Sequence, residues 1–294
     1  MNRYLIVNYH YIRDEQSSGI NACRVDHFAE QINFLSSQYS IVTLQELYDN
    51  ARKSAPGNFC SLTFDDGLVE HYAVAYKFLR EKGLPGAFFI IGMPLQEQKI
   101  PLTHKLHLLL SHKTAKELVS MFHSYFHGRY LIDDSIRINP RRRFDDVLTS
   151  NLKETLIGLP ITERQDFIEN VFKDFHKSEA KLCADLFMSP SSLKEMGEHS
   201  MEIGSHGYSH RSLETLSFEE QKADIEASRR AIGDITGKNP MIFSYPHGRY
   251  NDDTIRILND LGFSMAVILG GRAITNLDER FSIPRYDTND IKII

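Results

Sequence analysis

The stretch Ser61-Leu-Thr-Phe-Asp-Asp-Gly67 places two adjacent carboxylates directly after a short apolar segment. Residues 60–64 are apolar and β-prone, which is typical of a buried strand, and Asp65, Asp66 and Gly67 end it. Two like charges this close repel each other and raise one pKa unless a cation lies beside them. A metal would resolve the repulsion if one aspartate were its ligand and the other stayed free as a base. The alternative is an ordinary turn, because Asp and Gly are common turn residues.

The composition indicates a globular protein with a sizeable core. The chain has 294 residues, of which 41% are hydrophobic and 25% are charged, which allows one large domain or two smaller ones. A formal net charge of −5 argues against nucleic acid as a partner, because such proteins present a basic face. The sequence shows no run of ~18 apolar residues that could cross a membrane and no signal-peptide pattern. We therefore expect a cytoplasmic protein without a transmembrane segment, and the oligomeric state stays open.

The three cysteines, Cys23, Cys60 and Cys183, are odd in number and far apart in the chain. This spacing fits reduced thiols and does not favour a zinc–thiolate site.

Strand and helix patterns alternate at both ends of the chain. The predicted strands are 4–9, 41–43, 60–64, 87–91, 201–204, 241–245, 264–269 and one near residue 283. The predicted helices between them are 25–37, 44–51, 72–79, 217–233 and 252–261. This alternation predicts an α/β fold with a parallel sheet or barrel.

Residues 96–190 break the alternation, since they show helical patterns and few strand candidates. The clearest helical patterns are 105–110, 115–126 and 164–186. We interpret 96–190 as a helical insertion within a single domain of residues 1–294. Its aromatic residues could stack on a sugar or fill a helical core; helical spacing favours the core. They are Phe122, Tyr125, Phe126 and Tyr130.

A second stretch with metal-binding chemistry is Gly204-Ser-His-Gly-Tyr-Ser-His210. His206 and His210 could share one face of a helix, although Gly207 makes a tight turn equally possible. His123 and His127 have the same spacing but follow no strand, so we do not expect them to bind a metal.

Asp66, His206 and His210 all follow strands of the same βα series. In a parallel barrel all strands end on one face, where active sites are built. Two histidines and one aspartate with open positions for water suit zinc or another divalent transition metal, such as Co²⁺, Ni²⁺ or Mn²⁺.

Three stretches together resemble the polysaccharide deacetylase family, the NodB-like carbohydrate esterases. Thr63-Phe-Asp-Asp-Gly67 and Ser205-His-Gly-Tyr-Ser-His210 are similar to its first two motifs. Phe243-Ser-Tyr-Pro-His-Gly-Arg-Tyr250 is similar to the third, which usually carries an Arg before the Pro and an aromatic residue after it. Here Ser244 or Tyr245 stands in place of that Arg, and His247 replaces the aromatic residue. The departure leaves open what orients the base.

The resemblance implies a distorted (β/α) barrel and a metal-dependent N- or O-deacetylase of sugars. It implies that Asp66, His206 and His210 hold the metal and that Asp65 is the general base. The metal would activate water and polarise the amide while Asp65 takes the proton. A backbone N–H near Tyr245 would hold the oxyanion, and Tyr245, Pro246 and His247 would contact substrate.

The resemblance also implies roles for both ends of the chain. The usual Leu-x-His motif near the C-terminus is absent, since no histidine follows His247. Instead, Ile6-Val-Asn-Tyr-His10 resembles the rearranged subgroup of poly-N-acetylglucosamine deacetylases, in which an N-terminal histidine is the acid. We therefore predict His10 as the general acid, with a structural histidine as the alternative. Arg285 in Pro284-Arg-Tyr-Asp287 either pairs with Asp65 and holds it ionised or forms a surface salt bridge.

The functional hypothesis is a hydrolase acting on carbon–nitrogen bonds other than peptide bonds, with a carbohydrate substrate. Its expected substrate is an N-acetylamino sugar on a cytoplasmic nucleotide- or lipid-linked precursor, or a polysaccharide. Two alternatives remain: a hydrolase of another small linear or cyclic amide, and a non-catalytic sugar-binding module on the same fold.

Overall fold

The computed structural model describes residues 3–15, 19–140, 142–174, 178–199, 201–271, 274 and 279–291. The chain divides into two compact units. The first comprises Met1–Asp14, Cys23–Lys99 and Ala180–Ile294, and the second comprises Glu15–Ala22 and Ile100–Glu179. Within the described residues, no helix is both long enough and apolar enough to span a bilayer.

The first unit contains a closed parallel barrel. Its strands are β1 Arg3–Tyr9, β2 Ser40–Ile41, β3 Asn58–Asp66, β4 Ala87–Ile90, β5 Glu202–Ser205, β6 Ile242–Ser244, β7 Met265–Leu269 and β8 Ile283–Asp287. Neighbouring strands follow the order β1-β8-β7-β6-β5-β4-β3, and β1 also pairs with β3 over seven residues, which closes a ring of seven strands. The short β2 pairs with the beginning of β3. The predicted distorted (β/α) barrel is confirmed.

The alternation of side chains along β3 separates two environments. Cys60, Leu62 and Phe64 belong to a buried apolar cluster that includes residues of the surrounding helices. Ser61, Thr63 and Asp65 point to the opposite face of the strand, because successive side chains in a strand alternate. In a closed barrel that opposite face is the interior, so the polar side chains of β3 line the inside of the barrel.

The helices of the first unit connect the strands. They are α1 Val25–Gln38, α2 Leu44–Arg52, a π-helix His71–Tyr76 that continues as α3 Lys77–Glu81, and α4 Gly92–Glu97. The strand predicted over residues 41–43 ends at Ile41, because Thr43 caps α2: its side chain accepts a hydrogen bond from the Glu46 N–H at 3.1 Å.

Helices also fill the segment between β4 and β5. After α4 they are α5 Leu102–His112, α6 Ala115–Tyr125, α7 Val147–Gly158, α8 Ile161–Phe172, α9 Glu179–Leu186 and α10 Pro190–Glu198, and the later helices of the chain are α11 Phe218–Thr236 and α12 Asp252–Asp260. The single helix predicted over residues 164–186 is two helices, α8 and α9, and residues 175–177 between them lie outside the described residues.

The second unit has a core of its own. Phe122 of α6 and Phe167 of α8 are at most 1% exposed, and their rings meet edge to face with centroids 5.3 Å apart. Lys105 of α5 is also buried, and its ammonium group lies 2.6 Å from a carboxylate oxygen of Glu169 and 3.0 Å from one of Glu179. A buried charge needs such partners, because an unpaired one is costly.

Candidate active site

Polar residues from several strands of the first unit gather at the carboxyl end of the barrel. Asp65 and Asp66 end β3, His10 follows β1, and His206 follows β5. The strands are parallel, so these ends share one face of the barrel, as the sequence predicts.

Asp66, His206 and His210 form a buried cluster. The Nε2 atoms of His206 and His210 lie 3.4 Å and 3.3 Å from the same carboxylate oxygen, Oδ1 of Asp66. One potential ligand atom from each of the three residues lies within 4.8 Å of the other two. Within the described ranges, no other group of three or more His, Cys, Asp or Glu side chains converges in this way. The structure thus brings the three predicted metal ligands together.

Backbone geometry at Asp66 directs the two adjacent aspartates to different neighbours. Asp66 has φ +83°, a left-handed conformation that is uncommon for residues other than glycine. Strand alternation already turns the Asp66 side chain away from that of Asp65, and the change of φ ends the extended chain there. Strained backbone of this kind occurs at functional sites and costs of order 1–3 kcal/mol. The two carboxylates therefore lie in separate environments although they are adjacent in sequence.

His206 is oriented by a hydrogen bond on the ring nitrogen away from Asp66. Its Nδ1 donates to the backbone carbonyl of Ser244 at 2.7 Å, which leaves Nε2 as the nitrogen that faces the cluster. Burial lowers the pKa of His206 to about 4, so the imidazole is neutral near pH 7. Metal-binding histidines characteristically donate their second N–H to a carbonyl or carboxylate, which fixes the tautomer.

The loop that carries both histidines is held by a residue that the sequence analysis did not single out. The carboxylate of Asp224 in α11 accepts hydrogen bonds from the backbone N–H of Tyr208 at 2.7 Å and of Ser209 at 3.0 Å. Gly207 has φ +71°, and a Cβ there would lie 2.9 Å from Asp224 Oδ1. The His206–His210 stretch is therefore a tight turn after β5, the second of the two predicted arrangements. Asp224 lies 15 or 16 positions from the loop that it holds, so nothing in the sequence around it predicted this role.

The donor set fits a divalent transition metal. Two imidazole nitrogens and one carboxylate oxygen are the three-ligand pattern of catalytic zinc sites, which leave a coordination position for water. The ring of His206 is already fixed by the Ser244 carbonyl, so little reorganisation is needed to present its Nε2 atom to an ion.

Asp65 lies in a separate, fully buried network. The guanidinium of Arg285 donates from Nη1 to Oδ1 at 2.9 Å and from Nη2 to Oδ2 at 2.6 Å, which makes a bidentate pair. Asn8 Nδ2 and Ser244 Oγ also donate to Oδ2, at 3.2 Å and 3.1 Å. Arg285 is 1% exposed, so the alternative of a surface salt bridge does not hold.

This network resolves what orients the predicted base. The Arg expected before Pro246 is absent, and Arg285 of β8 supplies a guanidinium from a different strand. Ser244, at the end of β6, donates to Asp65 and accepts from Arg285 Nη2 at 2.9 Å. Asn8 and Thr63 accept from Arg285 Nη1 at 2.7 Å and 3.1 Å, two further contacts that sequence reasoning missed.

The protonation state of Asp65 is set by two opposing effects. Burial raises the pKa of the carboxyl, but the Arg285 guanidinium and the neighbouring histidines outweigh it and hold the pKa of Asp65 well below its usual range. The carboxylate is therefore ionised throughout the physiological pH range.

His10 lies beside Asp65 and remains partly open to solvent. Its Nε2 atom is 3.9 Å from Asp65 Oδ2, and its side chain is 34% exposed. The backbone carbonyl of His10 accepts a hydrogen bond from Nε2 of His71 at 2.7 Å. His71 is fully buried at the start of the π-helix, and burial lowers its pKa. His71 belongs to none of the motifs described above, so its contact with His10 was not predicted.

Tyr245, Pro246 and His247, the three residues of the third motif that are predicted to contact substrate, have different surroundings. Tyr245 is 2% exposed, its hydroxyl donates to the Phe281 carbonyl at 2.8 Å, and its ring stacks on Tyr250 at 4.3 Å. Its ring is thus a core group, and this burial argues against the predicted substrate contact. An oxyanion donor was predicted among the backbone N–H groups near Tyr245, and the nitrogen of Tyr245 itself lies 3.4 Å from the Val267 carbonyl oxygen and so already has an acceptor.

The other two residues of that motif differ from each other. Pro246 is buried, which also leaves it little surface for a substrate. His247 has φ +58° and packs its ring edge to face on that of His210, with centroids 4.7 Å apart. His247 therefore lies next to the Asp–His–His cluster, and its contact with substrate stays a prediction.

The second histidine pair does not form part of such a cluster. His123 Nε2 accepts a hydrogen bond from the Ile132 N–H at 3.0 Å, and His127 is exposed at the end of α6. Neither of them belongs to the cluster of Asp66, His206 and His210.

The first unit thus combines a closed parallel (β/α) barrel with an Asp–His–His cluster and a buried second aspartate at the carboxyl ends of its strands. The polysaccharide deacetylase family profile matches residues 52–266 of this chain. This match covers more than half of the 294 residues, and the chain belongs to the polysaccharide deacetylase family.

A curated relative shares part of the sequence. YxkH of Bacillus subtilis (strain 168), assigned by name to the polysaccharide deacetylases, is 27% identical over 124 residues. The matched segment spans 42% of this chain and 42% of YxkH, less than half the length of either protein.

Solved structures share the fold over nearly the whole chain. The deacetylase PplD of Streptococcus pyogenes, in complex with acetate, has a TM-score of 0.63 at 16% identity, covering 97% of this chain and 92% of its own. IcaB of Ammonifex degensii has a TM-score of 0.60 at 17% identity, covering 97% and 91%. A de-N-acetylase of Aggregatibacter actinomycetemcomitans has a TM-score of 0.57 at 18% identity, covering 97% and 95%. At these identities the likeness shows a common fold.

Proposed function

We propose that this protein is a metal-dependent hydrolase that removes an N-acetyl, or O-acetyl, group from an amino sugar. The observation that carries the proposal is the difference in surroundings between two adjacent aspartates. Asp66 faces two histidine nitrogens, whereas Asp65 is held ionised by Arg285 outside that cluster. A site that only bound a sugar would need neither a buried ionised carboxylate nor a set of converging metal ligands.

Each residue of the site has a defined task in this reaction. Asp66, His206 and His210 would hold a divalent ion, which supplies Lewis acidity and lowers the pKa of water. Asp65 accepts a proton when water attacks the acetyl carbonyl. Its low pKa keeps it in the basic form, ready to accept that proton. Arg285, Ser244 and Asn8 hold the carboxylate in place during the transfer.

The leaving amine needs a proton, and His10 is the side chain best placed to provide it. His10 is a partly exposed histidine 3.9 Å from Asp65. The group that accepts a proton from water and the group that donates a proton to the amine therefore lie at the same site. Its backbone is anchored by His71.

Replacement of His10 tests this role through the leaving group. We expect His10→Ala to slow hydrolysis of an N-acetyl amide by about 10²–10⁴-fold, the usual contribution of a general acid. Hydrolysis of an activated acetyl ester, whose leaving group needs no proton, should fall by less than about tenfold. The measurement is kcat/KM on both substrates, with His27→Ala, whose side chain is 45% exposed, as the control. Equal losses on amide and ester would assign His10 a structural role.

The comparisons support the same reaction class. The chain belongs to the polysaccharide deacetylase family, and the proteins of similar fold include one described as a deacetylase in complex with acetate and one described as a de-N-acetylase. We take the substrate to be a carbohydrate on this basis, and the location of the enzyme in the cytoplasm stays part of the proposal.

Acetate release tests the reaction and separates its substrates. We expect the metal-loaded protein to release acetate from N-acetylglucosamine oligomers or from UDP-N-acetylglucosamine, and to stop when a chelator removes the ion. Preference for the nucleotide sugar would support a precursor substrate, and preference for the oligomers would support a polysaccharide. Metal binding without acetate from any acetylated sugar would contradict the proposal and favour an enzyme acting on another small amide.

A further inference from the structure

The second unit contains a surface pocket that the proposed reaction does not use. It is an open depression with a volume of about 570 Å³. Residues at the end of α6 and on α8 line it: Tyr125, Phe126, His127, Arg129, Glu163 and Asp166. Both aromatic and charged side chains therefore converge at one place on this unit.

The aromatic part of the pocket is anchored in the core of the second unit. Phe122 and Phe126 are 0% and 7% exposed, so they fill the helical core as the sequence predicts. Tyr125 differs, because it is 38% exposed. Its ring packs edge to face on Phe126 at 5.0 Å and on Phe167 at 5.6 Å. Tyr125 is thus an aromatic group held by buried neighbours but accessible from solvent.

Charged groups complete the lining. Arg129 Nη2 donates to Glu163 Oε2 at 2.6 Å, and the Tyr130 hydroxyl donates to the same oxygen at 2.8 Å. The guanidinium of Arg129 also lies over the Tyr130 ring, 4.8 Å from its centroid. Asp166 follows Glu163 by three residues on α8, so it belongs to the same helix face. The lining therefore carries two carboxylates and one guanidinium.

The backbone that presents the basic part of the pocket is held in an uncommon conformation. His127 has φ +49°, and Gly128 has φ +71°, which turns the chain sharply after α6. The Gly128 N–H donates to the His123 carbonyl at 2.9 Å, and the Arg129 N–H donates to the Phe126 carbonyl at 3.0 Å. These bonds fix the turn and keep Arg129 beside Glu163.

We propose that this pocket binds an amino-sugar unit whose amino group is protonated, the product of the proposed deacetylation within a glycan chain. An aromatic ring can stack on the apolar face of a pyranose and attracts an adjacent ammonium group through its π face. Arg129 and the carboxylates offer donors and acceptors for the sugar hydroxyls, and the excess carboxylate favours a cationic ligand over a neutral one. The inference rests on the proposed function, because that reaction creates the ammonium group.

Binding of matched oligosaccharides tests the pocket directly. The probes are glucosamine tetramer and N-acetylglucosamine tetramer, titrated by calorimetry into the 294-residue chain in the presence of a chelator, so that the acetylated tetramer is not hydrolysed during the titration. We expect wild type to bind the glucosamine tetramer more tightly, Tyr125→Ala to weaken that binding at least about tenfold, and Asp166→Asn to weaken it at least about fivefold. Asp166→Asn should also reduce the preference for the glucosamine tetramer, because it removes a negative charge.

The control is Leu131→Ala, which removes an apolar side chain that is 81% exposed in the same unit but does not line the pocket. It should bind both tetramers as wild type does. Wild-type affinity for the glucosamine tetramer in both Tyr125→Ala and Asp166→Asn would overturn the inference, as would equal wild-type affinity for the two tetramers.

Acetate release from N-acetylglucosamine oligomers by the same samples, measured after the metal is restored, separates this inference from the proposed function. Tyr125-dependent binding without acetate release would contradict the reaction and retain the pocket. Acetate release with no effect of Tyr125→Ala on tetramer binding would retain the reaction and reject the pocket.

Discussion

Asp65→Asn is expected to bind metal as wild type does and to release acetate about 10²–10⁴-fold more slowly, the usual contribution of a general base. The substitution keeps the shape of the side chain and leaves the Asp66, His206 and His210 cluster intact. The charge of Arg285 loses its partner, so folding of the variant should be checked by circular dichroism. The test is to measure metal content and kcat for acetate release on the same preparation.

The same substitution one residue later is the matched control. Asp66→Asn removes a charged ligand from the cluster, so it should lose metal affinity and activity together. A turnover close to wild type in Asp65→Asn would remove Asp65 as the base. Loss of metal from Asp65→Asn would instead mean that both aspartates are needed for metal binding.

Arg285→Met is expected to lower the free energy of unfolding by about 3–5 kcal/mol, because breaking a buried ion pair leaves a buried charge without compensation. Arg285 and Asp65 are 1% and 2% exposed and share two hydrogen bonds. Urea unfolding at pH 7 in the presence of a chelator measures the change. The double variant Asp65→Asn/Arg285→Met should recover part of the loss, since it removes both charges.

The effect of Arg285→Met should depend on pH in a defined direction. In wild type the pKa of Asp65 is held below its unfolded value of about 3.9, so this group stabilises the fold above that pH and the contribution is lost as pH falls through the folded pKa. Without Arg285, burial raises the pKa of Asp65, and the folded state then loses stability as pH rises above about 3.9. The difference between wild type and variant should therefore be smaller at pH 4 than at pH 7.

An exposed ion pair provides the control for this prediction. Arg249 and Glu214 lie 3.0 Å apart with side chains 41% and 35% exposed. Arg249→Met should change the free energy of unfolding by only about 0–1 kcal/mol. A change of that size in Arg285→Met as well would contradict the role given to the buried pair.

The parts of the fold and site that follow from local patterns could be predicted from the sequence. The run of residues 60–64 has the composition of a buried strand, and the two aspartates directly after it had to lie at a strand end. His206 follows β5 in the same way. Because parallel strands end on one face of a barrel, short motifs 140 residues apart were expected to meet, and the structure brings Asp66, His206 and His210 together.

Contacts between residues distant in sequence could not be predicted. Arg285 and Asp65 are separated by 220 positions, so the sequence could not distinguish a buried pair from a surface salt bridge. Tyr245 illustrates the same limit: its place in a motif suggested a substrate contact, but its hydroxyl finds an acceptor in Phe281, 36 positions away. Asp224 and His71 support the site through hydrogen bonds to backbone groups, which leave no residue pattern in the sequence.

Equilibrium dialysis against Zn²⁺, with the bound metal counted by elemental analysis, tests whether Asp66, His206 and His210 form a metal centre. We expect one ion per wild-type chain and binding at least about 100-fold weaker in His206→Ala, since loss of a ligand should exceed the 10–100-fold effect of losing a supporting contact. His123→Ala, from the other histidine pair, should bind as wild type does. Wild type that binds no Zn²⁺, Co²⁺, Ni²⁺ or Mn²⁺, or a His206→Ala variant that retains full affinity, would contradict the metal centre and favour a sugar-binding module on the same fold.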